Sequence, residues 1–83
     1  MTQVGYEAIE EATEGDIVVA GLDEQTAWPH VVYDTFEKNQ GTTKVVVLDS
    51  GEHLQMGGHG GIIDNTSDDA ENYYVELSVM FDE

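Results

Sequence analysis

Apolar residues in this chain recur at every second position far more often than at every third or fourth, which is the signature of half-buried strands. Tyr73, Val75, Leu77, Val79 and Phe81 alternate with Tyr74, Glu76, Ser78, Met80 and Asp82, predicting a strand with one apolar and one mixed face. Val31, Val32, Tyr33 and Phe36 lie in a second β-rich run. Thr42 to Leu48 form a third, and its Val45-Val46-Val47-Leu48 centre implies burial on both faces. Asn39-Gln40-Gly41 and Asp49-Ser50-Gly51 are turn sequences, so Glu52 to Met56 runs back with Leu54 and Met56 on one side. The result is a three-strand meander from His30 to Met56.

Upstream, Glu14-Gly15-Asp16 turns the chain into a strand at Ile17 to Ala20, and Gly21 to Pro29 reads as an acidic loop. Tyr6 to Thr13 is ambiguous. Tyr6, Ile9 and Thr13 share a helical face, but Ile9 is the one large aliphatic residue there, so an extended arm or short strand fits equally. Five to six short antiparallel strands joined by Gly turns predict an all-β fold, a small β-barrel or sandwich. Residues 1–83 form a single domain, with 1–13 as an N-terminal arm and 14–83 as the barrel.

Composition narrows the habitat. Eighteen Asp and Glu stand against two Lys and no Arg, giving a formal net charge of -16. Self-repulsion of this size destabilises a compact state in dilute buffer, whereas at about 1 M salt the Debye length falls to ~3 Å and surface charges stop sensing one another. A disordered acidic tail would be poor in apolar residues, but 40% of this chain is hydrophobic. The pattern resembles proteins of extreme halophiles and excludes bare phosphate backbones as partners. With no cysteine, disulfides, thiolate nucleophiles and Cys-type zinc sites are excluded. The N-terminus carries neither a basic region nor an apolar stretch of signal-peptide or membrane-span length, so a cytoplasmic, membrane-free protein is expected.

Candidate chemistry is sparse. His30, His53 and His59 could join Asp64 around a metal, but no pair has the spacing that aims two side chains at one ion, so no metal site is expected. Asp64 to Glu71 has Asp69 where a calcium loop of the EF-hand type needs Gly, and reads as a solvated turn. Gly57-Gly58-His59-Gly60-Gly61 lacks the Lys and Ser or Thr of a phosphate loop and reads as a surface loop able to order against a partner. No serine sits in a nucleophile elbow, and carboxylate pairs are too common in so acidic a chain to signify general acid–base work. The expectation is a non-enzyme without cofactors. Trp28 beside Pro29 either plugs one end of the barrel, the default for a lone Trp, or is an exposed anchor of the kind found at binding hot spots. The candidate partner-binding residues are Tyr6, Trp28, Pro29, Gly58, His59 and Gly60.

Three segments together, Ala12-Thr13-Glu14-Gly15-Asp16-Ile17-Val18-Val19, His30-Val31-Val32-Tyr33-Asp34-Thr35 and Thr43-Lys44-Val45-Val46-Val47-Leu48-Asp49-Ser50-Gly51-Glu52, resemble the small β-barrel head-decoration proteins of tailed viruses. The resemblance implies a structural virion protein that sits on a capsid lattice, often as a trimer, and stabilises it. On this reading the chain is a capsid-decoration component of a halophilic archaeal virus, made in a high-salt cytoplasm. Its partner would be the major capsid protein or like subunits, as a homo-oligomer or part of a large assembly. The alternatives are a halophile SH3-like protein-interaction module and an acidic inhibitor that mimics DNA.

Overall fold

The computed structural model describes residues 2–57, 61–66 and 73–78. The chain runs β1 (Thr2–Val4), α1 (Tyr6–Glu11), β2 (Ile17–Gly21), β3 (Trp28–Lys38), β4 (Thr43–Leu48), β5 (His53–Met56), β6 (Ile62–Asp64) and β7 (Tyr74–Ser78). All strand pairings are antiparallel, in the spatial order β1-β7-β2-β3-β4-β5-β6. The fold is therefore the expected small all-β domain. Among the described residues it has seven strands where five to six were expected, because the three-residue β1 and β6 are too short to show as alternation. β1 and β6 are the edges of the sheet, so it curls without closing into a barrel.

The long strand β3 organises the curl. Its first part pairs with β2, from Trp28 opposite Ala20 to Val31 opposite Ile17. Its second part pairs with β4, and the register shifts between Val32 and Asp34. The extra residue at this bulge is Tyr33. Bulges bend a strand and sharpen its twist, so one strand passes from one half of the sheet to the other. The predicted meander from His30 to Met56 is present as β3-β4-β5. Asn39, Gln40 and Gly41 take positive φ in its first turn and Gly51 in its second.

The core lies on the concave side. Val18 and Ala20 of β2, Val32 of β3, Val46 and Leu48 of β4, Leu54 of β5, Ile62 of β6, and Val75 and Leu77 of β7 are all buried there. Val45 is also buried but lies outside that cluster, opposite Phe36 on the outer side, so β4 is covered on both faces as its sequence implies.

The N-terminal segment is built into this core. β1 pairs with β7, and α1 lays Ala8, Ile9 and the following Ala12 against the cluster. Two of these three are alanines, which let a short helix approach the sheet closely but give little hydrophobic signal in sequence. The Lys44 ammonium donates to the carbonyls of Glu10 (2.8 Å) and Ala12 (2.6 Å). A cation thus sits at the negative end of the helix, where the last carbonyls have no partner of their own.

Asp64 corrects another expectation. It lies in β6 on the core side, opposite Leu54, and is 4% exposed; Asn65 and Thr66 after it form an exposed turn, and the rest of the expected solvated turn lies outside the described residues. Burial pushes its carboxyl up, but the hydroxyl and amide of Thr66 and the amide of His53 donate to it and outweigh that push, holding it below the ordinary carboxylate value.

Candidate protein-contact surface

The β2–β3 hairpin is fixed at both ends. At its tip, one Asp23 carboxylate oxygen accepts from the amides of Gln25 (3.0 Å) and Thr26 (2.9 Å) and from the Thr26 hydroxyl (3.1 Å), a local turn closed by its own side chain. Those bonds, the Thr26 amide first, hold the Asp23 carboxyl below its usual value. Gly21 allows the loop to fold back, since a Cβ there would stand 2.7 Å from Ala27 Cα. At the other end, the Thr13 amide and hydroxyl donate to Asp16. The backbones of Gly15 and Asp16 then bond Val32 and extend the ladder.

With β2 held on both sides, its side chains alternate strictly. Val18 and Ala20 point into the core, and Ile17 and Val19 point outward. Register partners share a face, so the pairings define the outer surface of the half-sheet β1-β7-β2-β3. One row runs Val4, Glu76, Val19, Pro29 across the four strands. Beside it lie Thr2 with Ser78, Ile17 with Val31, and Gly21 with Tyr74. Val4 is 51%, Ile17 54% and Val31 41% exposed. Among the described residues the one charged side chain within the strand rows of this face is Glu76, and Glu11 and Asp16 border the face beside Ile17, Val19 and Ser78. The Tyr74 hydroxyl donates to Glu76, and that bond, with burial and the Glu76 charge behind it, pushes the phenol up to about 12. Glu76 is thus a fixed anionic acceptor set in an apolar field.

Trp28 and Pro29 lie on opposite sides of β3. Pro29 belongs to the outer face, whereas Trp28 shares the concave side with Ala20, beyond the reach of α1. At 67% exposed it is not a plug, which corrects the default reading of a lone Trp. Trp28 packs edge-on against His30, with ring centroids 6.0 Å apart, and His30 Nδ1 lies 3.2 Å from Asp49. The Val31 amide and then the His30 contact hold the Asp49 carboxyl below its ordinary value. This chain of contacts ties the start of β3 to the β4–β5 turn.

Tyr6 is elsewhere. It lines a groove with Ile9, Glu10, Thr42, Thr43, Lys44 and Met56, between α1 and the far end of the β3–β4 hairpin. Hydrogen bonding to the Glu10 carboxylate one turn on raises its phenol. Trp28 is not among the residues lining this groove. Gly58, His59 and Gly60 lie outside the described residues; the flanking Gly57 amide donates to the Gly61 carbonyl at 2.7 Å. Among the described residues no cluster of His, Asp and Glu is arranged to hold a metal ion.

Sequence reasoning missed Val4, Ile17, Val19, Val31 and Glu76 as a surface. A signal was present: β2 is apolar at every position in Ile17-Val18-Val19-Ala20, so one of its faces must be covered by something other than the core. No protein-family model matches the chain, and no curated protein or solved structure matches it.

Proposed function

We propose that this chain is a non-enzymatic interaction and assembly module that docks a partner protein on the outer face of the half-sheet β1-β7-β2-β3 and works in high salt. The observation that carries the proposal is the apolar surface of Val4, Ile17, Pro29 and Val31, exposed around a half-buried Val19 in a molecule whose charge is -16. Contiguous exposed apolar patches on soluble proteins mark contact sites, and each Å² removed from water contributes about 25 cal/mol. An acid-rich surface keeps the unbound protein apart from its neighbours, while a mostly apolar face leaves a place where contact is favoured. In its narrower form, following the resemblance stated above, the module decorates or stabilises a virion by binding capsid protein.

The test is native sedimentation of extracts from the cells that make the protein, at high salt, comparing wild type with Ile17→Ser/Val31→Ser. Both positions are outside the core, so circular dichroism of the double variant should match wild type. Wild type should travel in a larger complex and the variant as a free 9.1 kDa chain. A wild type that sediments as that free chain, or a variant that stays in the complex, would refute the proposal.

A further inference from the structure

We infer that the outer face is built for a cationic partner, a different protein that places a Lys or Arg against Glu76 from within an apolar surface of its own. This rests on the contact role proposed for the same face and adds the chemistry of what covers it. Glu76 stands between Val4 and Val19 in one row, with no basic side chain in the rows on either side. Covering this face with a purely apolar surface would bury an unpaired carboxylate, which is costly. Tyr74 supplies one hydrogen bond, but a carboxylate accepts several. A guanidinium or ammonium in an apolar setting supplies the remaining donors and cancels the charge.

A second copy of this chain cannot do so. It has no Arg and two Lys. One of these, Lys44, is engaged with the carbonyls of α1, and the other, Lys38, lies at the opposite end of β3 from the outer face. Charge complementarity therefore selects an unlike, cationic partner.

The probes are three synthetic peptides with alternating Val and polar positions, identical except that the polar positions are Lys, Gln or Glu. Binding to the intact protein is followed by amide chemical shifts and titration calorimetry at about 1 M KCl, where general attraction to an acidic surface is screened. The Lys peptide should shift Val4, Ile17, Val19 and Val31 and bind more tightly than the Gln peptide. Glu76→Gln should weaken it about tenfold, while Glu37→Gln, an equal loss of charge on the distant β3–β4 hairpin, should leave it within twofold. Equal losses from Glu76→Gln and Glu37→Gln would show attraction to charge at large and overturn the inference. Binding of the Gln peptide as tight as the Lys peptide, at this face, would also overturn it while leaving the contact role standing. Loss of every peptide's shifts from this face would remove the contact role itself. Reversible dimers in sedimentation equilibrium that Ile17→Ser dissolves would assign the face to a second copy and likewise overturn the inference.

Discussion

Replacing Lys44 by Met isolates the one cation that the fold places at a helix end. Met keeps the length of the stem and removes the ammonium that bonds the carbonyls of Glu10 and Ala12 at 2.8 and 2.6 Å. A hydrogen bond to a charged group contributes about 1.5–3 kcal/mol net, and a cation at a helix C-terminus about 0.3–1 kcal/mol. Lys44 is half-buried, which places the loss toward the lower part of these ranges, about 2 kcal/mol. A domain of this size shifts its melting temperature by about 4–8 °C per kcal/mol, so thermal melts should fall by about 8–16 °C. Lys38→Met is the control: it removes the same charge, yet among the described residues Lys38 makes no side-chain hydrogen bond. Its cost should be small and should vanish at about 1 M KCl, where surface charges are screened. The Lys44→Met loss should persist there, because it is a direct contact with partly buried carbonyls. Equal shifts for the two variants at every salt concentration would refute the capping argument.

Gly21→Ala should destabilise by about 2–3 kcal/mol in urea titrations, since a Cβ 2.7 Å from Ala27 Cα forces backbone to move; a change under about 0.5 kcal/mol would show that the hairpin tip yields freely. Asp64 has its carboxyl held below the ordinary value in the fold, so its charge stabilises above the unfolded value near 3.9 and that contribution is lost as pH falls through the folded value. The stability gap between wild type and Asp64→Asn should therefore be full at neutral pH and shrink in acid below about pH 4; a gap that is constant with pH would contradict this. Melting temperature should climb from about 0.1 to 3 M KCl as screening relieves repulsion, and a flat or falling curve would remove the high-salt reading.

The meander was legible because two independent signals agree on it. Alternation marks the strands, and Asn39-Gln40-Gly41 and Asp49-Ser50-Gly51 place the turns, where Asn39, Gly41 and Gly51 are types that tolerate the positive φ they take. The helix was not legible, because it docks through Ala8 and Ala12 and its C-terminal cation arrives from β4, far along the chain. Trp28 escaped for a different reason: its residue type argues for burial, but its register carries it past the edge of what α1 covers. The candidate surface was half visible. Trp28 and Pro29 lie at the right strand, yet the apolar row itself depends on which strands become neighbours, and nothing local says that β7 lies between β1 and β2.

That insertion of β7 bears on how the molecule comes into being. β2 through β6 pair with sequence neighbours and can zip up through local hairpins, the kind of contact that forms early and fast. β1 has no such option: its ladder exists only after Tyr74 to Ser78 have returned to lie against Thr2 to Val4. The strand that seats β1 also carries Val75 and Leu77 into the core and Glu76 onto the outer face. Completion of the core and completion of the contact surface are thus a single event, so a half-made chain offers no finished docking face to a partner.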